Sequence, residues 1–248
     1  VEILYNSKLQ IINHYAFANT PIKSISIPSS IIRIGERAFY LCKQLKQLNI
    51  PFDSKLEDIG QYAFAESSIE SIFIPPLVKK IQNYVFWNCN QIQDVTINSK
   101  SIDLNLDIFF DMRNLTKFDI IENNIYLKSH DNKLVFRKSS MESENYNVLV
   151  YAYKDITSVK IPNFVEIIEA KAFNYCTQLQ YIIIPDDSKL QKINKYAFAN
   201  TAIESFSIPQ NLTVISEGTF DECRQLHEIE IPKDSKLQNI ELCAFQYS

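Results

Sequence analysis

The sequence predicts a repeat solenoid, and two features of one recurring phrase support that prediction. The clearest copy of the phrase, residues 38–51, reads Ala-Phe-x-x-Cys-x-x-Leu-x-x-Leu-x-Ile-Pro. Its apolar residues recur at every third position and then at every second position, a change of period that fits neither one helix nor one strand. Copies of the phrase follow one another along the chain, so we expect each coil to bury its apolar side only against neighbouring coils.

The strand that ends each copy sets the length of the repeat. Successive strand ends lie 23 or 24 residues apart, with one longer step of 41 between residues 121 and 162. The aligned ends are Ile27-Pro28, Ile50-Pro51, Ile74-Pro75, Ile97-Asn98, Ile120-Ile121, Ile161-Pro162, Ile184-Pro185, Ile208-Pro209 and Ile231-Pro232. We therefore expect a single domain over residues 1–248, with about nine repeats of 23–24 residues and an irregular insert over residues 122–155.

Long and short copies alternate, and the long copies carry Asx-Ser-Lys-Leu after the strand, as in residues 53–56 and 187–190. An Asx or Ser side chain accepts a hydrogen bond from the backbone two residues further on, so this sequence predicts a turn before the next buried Leu. A ladder of calcium sites is the alternative interpretation. Each copy supplies only one or two carboxylates, too few for the oxygen cage that calcium needs.

The short copies carry a cysteine three residues after the Phe, namely Cys42, Cys89, Cys176 and Cys223. A rise of about 4.8 Å per coil places Cys42 and Cys89 roughly 10 Å apart, beyond the reach of a disulfide. We therefore predict free thiols that fill the core. A catalytic or metal-binding role is the alternative, but a regular ladder does not bring four ligands to one tetrahedral ion.

The other apolar columns predict the core. A column of phenylalanines predicts an aromatic spine with one ring in each coil, which would bury about 150–250 Å² per ring. Its members are Phe17, Phe39, Phe64, Phe86, Phe109, Phe173, Phe198, Phe220 and Phe245. An apolar pair before each Phe, such as Ile31 and Ile34, predicts a short extended segment on the opposite side of the coil. Only three glycines occur, so the sequence contains no glycine-rich phosphate-binding loop.

The irregular centre lacks the Ala-Phe anchor and contains two runs of alternating residues. These runs, 133–137 and 148–153, are joined by the polar residues 138–147 and predict a β-hairpin that projects from the solenoid. Two roles remain open for it: a structural patch across an imperfect repeat, or a recognition element.

The strand phrase also predicts one exposed face, because side chains of a strand alternate in direction. Phe73, Tyr181 and Ile183 are apolar at positions that burial does not require, so we interpret them as anchors for a protein partner, with solvated surface as the alternative. The short polar side chains of the same face would suit a glycan. The candidate partner-binding residues are Phe73, Asp94, Thr96, Lys117, Asp119, Tyr181 and Ile183.

Composition and charge argue against several functions. A net charge of −4 argues against a nucleic-acid surface, and the absence of a long apolar run argues against membrane insertion by this segment. Residues 1–5 show no signal-peptide pattern, and both ends cut through a copy of the phrase, so we expect a fragment of a longer protein. The three histidines lie in separate repeats or in the insert, so we expect no catalytic, metal or cofactor site.

The phrase resembles the leucine-rich repeat of the BspA-like type, found in bacterial and protist surface proteins. The resemblance covers nearly the whole chain and departs most at residues 98–121, where Asn98 and Ile121 replace proline. It implies a right-handed coil with a parallel sheet of short strands on the concave face. It also implies a non-enzymatic module of a cell-surface or secreted protein, which binds protein or glycan on that face and acts in adhesion or in host or cell interaction.

An intracellular scaffold that mediates protein interactions is the alternative function. Two Asn-x-Thr sequences, at Asn114 and Asn211, accept glycans only in a secretory route. Glycans on either residue in the native protein would favour the cell-surface interpretation. The identity of the partner and the oligomeric state do not follow from the sequence.

Overall fold

The computed structural model describes residues 6–100, 102, 112–131, 133–140 and 142–248. These residues form a β-solenoid with short parallel strands and contain no α-helix. The chain divides into two compact units, Val1–Tyr126 (unit 1) and Leu127–Ser248 (unit 2). The expectation of a single domain over residues 1–248 stays a prediction.

Each described coil of unit 1 contributes one strand to a face row, and most contribute a second, two-residue strand to a back row. The face row consists of β2 (Ser24–Ser26), β4 (Gln47–Asn49), β6 (Ser71–Ile74), β8 (Asp94–Ile97) and β9 (Lys117–Ile120). The back row consists of β1 (Ile11–Ile12), β3 (Arg33–Ile34), β5 (Asp58–Ile59) and β7 (Lys80–Ile81). The second residue of each apolar pair before the Phe, such as Ile34, thus lies in a back strand.

Unit 2 repeats this plan after an irregular start. The start consists of β10 (Leu127–His130), β11 (Leu134–Arg137) and β12 (Val148–Ala152). The face row consists of β13 (Ser158–Lys160), β15 (Tyr181–Ile183), β17 (Ser205–Ser207) and β19 (Glu228–Glu230). The back row consists of β14 (Ile167–Ile168), β16 (Lys192–Ile193), β18 (Val214–Ile215) and β20 (Asn239–Ile240).

The back rows are continuous, whereas the face rows are interrupted. Back strands pair in the orders β1-β3-β5-β7 and β12-β14-β16-β18-β20, but face strands pair only as β2-β4, β6-β8-β9, β13-β15 and β17-β19. Paired face strands belong to copies 23 residues apart, as from Pro28 to Pro51. The interruptions fall at the 24-residue steps, from Pro51 to Pro75 and from Pro185 to Pro209. The extra residue in those coils therefore breaks the ladder on the face.

The irregular segment is built into unit 2. Strands β10, β11 and β12 pair antiparallel in that order, and β12 then pairs parallel with β14, in the register Val148 with Ile167. All five residues of β12 are buried. The prediction of an inserted hairpin that projects from the solenoid is not confirmed, because β12 is buried as part of the back row.

The aromatic spine is confirmed in both units. In unit 1 the rings of Phe17, Phe39, Phe64 and Phe86 stack with centroid distances of 5.1, 5.2 and 5.8 Å. In unit 2 the rings of Phe173, Phe198, Phe220 and Phe245 stack at 5.0, 5.6 and 5.2 Å. Phe109 lies outside the described residues. Each inner ring of the two stacks therefore packs between the rings of the coils before and after it, which is the arrangement expected of a nearest-neighbour stack.

The turn predicted for the long copies is also confirmed. The backbone N–H of Leu9, Leu56, Leu190 and Leu237 each donates to the serine hydroxyl two residues earlier, at 3.1–3.2 Å. The serine of Asx-Ser-Lys-Leu therefore closes the turn.

Left-handed residues lie two positions before and two positions after the spine phenylalanines. Around Phe17 these are Tyr15 and Asn19, with φ of 57° and 56°, and around Phe86 they are Tyr84 and Asn88, with φ of 60° and 58°. Most such residues are not glycine, so the backbone carries strain in each coil. Hydrogen bonds to the next coil offset that strain, as from the N–H of Tyr15 to the carbonyl of Glu36 at 3.1 Å.

Candidate functional site

The face row of unit 1 brings together five of the seven candidate residues. Phe73, Thr96 and Asp119 lie opposite one another on β6, β8 and β9, and Asp94 lies opposite Lys117. Lys117 forms an ion pair with Asp119 at 3.0 Å. All five side chains are at least partly exposed, so the structure places them on one surface as the alternation predicts.

Unit 1 also has an exposed aromatic pair that sequence reasoning missed. The ring of Phe52 lies 6.4 Å from that of Phe73, and Phe52 is 71% exposed. Phe52 follows the strand end at Pro51, where the other copies carry mostly polar or small residues. Comparing this column between copies would have found it. The pair gives the face of unit 1 an apolar patch beside its charged residues.

The face row of unit 2 carries the other two candidates. Tyr181 and Ile183 on β15 are 51% and 56% exposed. They lie opposite Ser158 and Lys160 on β13. The hydroxyl of Tyr181 donates to the carboxylate of Glu204, with a shorter distance of 3.4 Å. The polar end of Tyr181 is therefore held while its ring stays accessible to solvent.

A cavity of about 460 Å³ in unit 2 lies beside Ile183. Its lining residues are His130, Asp131, Lys133, Leu134, Ser158, Val159, Lys160, Pro162 and Ile183. The connection between β10 and β11 therefore supplies one wall, and the face strands β13 and β15 supply the other. Among the described residues, Lys133 and Lys160 form no ion pair, whereas His130 lies 3.3 Å from Asp131. The cavity thus combines two lysines and a histidine–aspartate pair with apolar side chains.

Charge changes sign along the face row of unit 2. Lys160 lies on β13, whereas β19 carries Glu228 and Glu230. The carboxylate of Glu230 accepts a hydrogen bond from the hydroxyl of Ser207 at 2.7 Å. The exposed apolar strand β15 lies between the basic strand β13 and the acidic strand β19 in chain order.

The five cysteines are free, and four of them are buried. The thiols of Cys42, Cys89 and Cys223 each donate to the carbonyl of the spine Phe one coil earlier, at 3.0–3.1 Å. A hydroxyl lies beside each of these thiols at 3.3–3.5 Å, from Thr20, Ser67 and Thr201 respectively. Cysteine and hydroxyl residues therefore alternate in one column, a pattern that comparison of long and short copies would have revealed.

Burial makes these thiols unreactive, and thiol titration tests this. Burial raises the pKa of Cys89 from 9.0 to about 11, so at pH 8 only about a thousandth of it is thiolate. We expect an aromatic disulfide reagent at pH 8 to modify half-buried Cys243 in the native protein and all five cysteines after unfolding in urea. Rapid native modification of more than one thiol would contradict the buried column.

Unit 2 contains a buried titratable cluster that sequence reasoning also missed. The ammonium of Lys154 donates to the carbonyl of Asn174 at 2.7 Å and lies 4.6 Å from the centre of the Tyr151 ring. Burial lowers the pKa of Lys154 and raises the pKa of Cys176 and of Tyr151. All of these groups are buried, so the cluster is closed to a substrate.

No metal centre is assembled by the described residues, where no group of three or more His, Cys, Asp or Glu side chains converges. The carboxylates of the turn sequences bond amides of the preceding coil: Asp187 accepts from Asn163, and Asp234 accepts from Gln210, both at 2.6 Å. Among these same residues, no helix is long and apolar enough to cross a membrane.

Similar folds occur in solved bacterial proteins. A leucine-rich repeat protein from Eubacterium ventriosum is 19% identical, with 92% of this chain and 68% of that chain covered and a TM-score of 0.70. The pneumococcal vaccine antigen PcpA is 18% identical, with 95% and 72% covered and a TM-score of 0.61. A leucine-rich cell surface protein from Faecalibacterium prausnitzii is 20% identical, with 97% and 86% covered and a TM-score of 0.53. At these identities the likeness shows the fold alone.

No curated protein matches the chain at a significant level. The family model described as the BspA type leucine-rich repeat region matches residues 10–141 and 147–248, with six copies. These ranges include all the face strands of both units and agree with the repeat phrase, the spine and the paired rows described above. The chain therefore belongs to the BspA-type leucine-rich repeat family.

Proposed function

We propose that this chain is the non-enzymatic binding module of a cell-surface or secreted protein, with a role in adhesion or cell interaction, and that it binds a protein partner on the face row of unit 2. The observation that carries the proposal is the exposure of Tyr181 and Ile183 on β15. Exposed aromatic side chains in a polar surround are frequent energetic anchors of protein interfaces. The adjacent cavity offers room for one side chain of the partner.

The charges around β15 define the chemistry of the partner. Lys133 and Lys160 line opposite walls of the cavity, with Asp131 paired to His130, and Glu228 and Glu230 lie on β19. A complementary partner carries an apolar side chain with acidic residues on one side of it and basic residues on the other. Such complementarity orients the partner and speeds its association.

Family membership and one structural neighbour support this proposal. Repeat solenoids present extended surfaces that suit binding, and BspA-type repeats form such a solenoid here. The similar chain from Faecalibacterium prausnitzii is named a cell surface protein, which supports the same location for this chain. The face of unit 1, with Phe73 and Lys117, is a second candidate surface for a protein or a glycan. An intracellular scaffold is the alternative, and glycans on native Asn211 would argue against it.

Removal of the two anchors tests the binding surface. The chain is screened against a library of secreted proteins and receptor ectodomains, and hits are measured by surface plasmon resonance. We expect the double variant Tyr181→Ala/Ile183→Ala to lower the affinity for the partner by roughly 30-fold, the effect of losing a hot spot of about 2 kcal/mol. The variant Tyr84→Ala is the control, because Tyr84 is also 51% exposed but lies on a turn of unit 1. Unchanged affinity in the double variant would refute the proposed surface.

A further inference from the structure

A second cavity lies in unit 1, away from the face-row residues discussed above. It has a volume of about 600 Å³ and is lined by residues of two successive coils, namely Trp87, Asn88, Asn90, Arg113 and Asn114. This volume is within the range of about 300–1,000 Å³ that is typical of small-molecule sites. Its wall consists of one indole, three amides and one guanidinium, and it contains no carboxylate, thiol or imidazole. That composition argues against a metal ion as the ligand.

The indole is not explained by the packing of the coil. Trp87 follows the spine residue Phe86, and the corresponding positions of other coils hold Ala18, Tyr40 and Ala65. Trp87 is 44% exposed, so much of its ring does not contribute to the core. The Tyr62 ring contacts it edge to face, with centroids 6.3 Å apart. Tyr62 therefore holds the indole in place while part of its surface stays open to the cavity.

The three amides are held by hydrogen bonds among themselves. The side-chain N–H of Asn90 donates to the side-chain oxygen of Asn88 at 2.7 Å. The side-chain N–H of Asn114 donates to the backbone carbonyl of Asn90, also at 2.7 Å. Three amide groups have no hydrogen-bond partner among the described residues: the N–H₂ of Asn88 and the side-chain oxygens of Asn90 and Asn114. The cavity therefore offers both donors and acceptors in fixed positions.

These groups match a sugar ring better than other small ligands. Sugar hydroxyls are donors and acceptors at once, so vicinal pairs of them can bond an amide, and the C–H face of a pyranose can pack against an indole. A phosphate would require several cations or a nest of backbone N–H groups, whereas Arg113 is the only charged residue of this wall. We propose that the cavity at Trp87 binds a short oligosaccharide, stacked on the indole and hydrogen-bonded by Asn88, Asn90 and Asn114.

Trp87 itself reports on the proposed ligand, because it is the only tryptophan of the chain. The protein is made in bacteria that do not glycosylate Asn114, and its tryptophan emission is followed during titration with cellotriose, chitotriose, mannotriose and lactose, each up to about 10 mM. We expect a saturable change of emission with at least one of these sugars. The same sugar should give saturation-transfer NMR signals with the native chain and none with Trp87→Ala. No saturable change with any of the four probes would overturn the proposal.

Matched variants separate the cavity from the turn that carries it. Asn19 occupies the same position of its coil as Asn88, at φ 56° against 58°, but lies outside the cavity. Since alanine meets the same backbone strain at both positions, Asn19→Ala controls for Asn88→Ala. We expect Asn88→Ala and Asn114→Ala each to lower the affinity for the sugar at least about tenfold, the effect of losing one hydrogen bond with its desolvated partner. Asn19→Ala is expected to leave the affinity for the sugar unchanged. Equal affinities in all three variants would overturn the site.

Discussion

Replacing Phe198 by alanine is expected to destabilise the protein by about 3–5 kcal/mol. The ring of Phe198 is fully buried and lies 5.0 Å from Phe173, 5.6 Å from Phe220 and 5.3 Å from Phe206. Alanine removes these contacts and leaves a void that the coils on both sides must share, and neither coil can close it without moving its own ring. Urea denaturation followed by far-ultraviolet circular dichroism measures the change in the unfolding midpoint.

Phe52→Ala is the control for this substitution, because it removes the same side chain from a position that is 71% exposed. Its free energy of unfolding is expected to change by less than about 0.5 kcal/mol, as is usual for surface substitutions. Equal losses of unfolding free energy for Phe198→Ala and Phe52→Ala would show that the stacked phenylalanines do not stabilise the core.

Gly60→Ala is expected to cost about 2–3 kcal/mol, the upper part of the range for forced overpacking. A Cβ at residue 60 would lie 2.5 Å from the backbone nitrogen of Glu36 and 2.7 Å from the carbonyl carbon of Gly35. Both are backbone atoms of the preceding coil, so the two coils would have to separate. That movement stretches the hydrogen bond from the N–H of Gly60 to the carbonyl of Ile34, now 2.8 Å, and disturbs the pairing of β3 with β5. Thermal unfolding of purified protein measures the loss.

Gly218→Ala distinguishes a backbone clash from a side-chain clash. A Cβ at residue 218 would clash with the ring of Tyr196, which is the half-buried end of a side chain and not backbone. The left-handed φ of 60° is also held by non-glycine residues in the same column, such as Tyr62 and Lys171. We expect Gly218→Ala to cost about 1 kcal/mol, less than Gly60→Ala. The reverse order would contradict the close approach of coils at Gly60.

The regular part of the fold follows from the sequence because every coil contains the same pattern of buried, exposed and turn-forming residues. The Phe column predicts the stacked rings, the strand phrase predicts which side chains of the face strands are exposed, and the serine of Asx-Ser-Lys-Leu predicts the turn. The interruptions of the face rows were also visible in the spacing, since they fall where a step is 24 residues and not 23. The interrupted pairing of the face strands was missed because the spacing gives only the length of each coil, whereas strand pairing depends on the register of neighbouring strands.

The irregular segment was less predictable because it has no second copy for comparison. The two alternating runs lie where β11 and β12 form, but the place of β12 in the back row was not foreseen. The continuous apolar run from Val148 to Ala152 was the available signal, because burial on both faces is typical of such runs. Both cavities were missed for a related reason. Each combines residues of different coils, such as Lys133 with Ile183, whose proximity depends on the path of the chain between them.

A pair of double-mutant cycles tests most directly the claim that each coil is stabilised by its immediate neighbours. Phenylalanine is replaced by leucine, which keeps the positions apolar, and free energies of unfolding are measured in urea. The account predicts a coupling energy of at least about 0.5 kcal/mol between the adjacent residues Phe198 and Phe220, and additivity within about 0.5 kcal/mol for Phe173 and Phe245, which are three stacking steps apart. Coupling of equal size in both pairs, or none between Phe198 and Phe220, would contradict it.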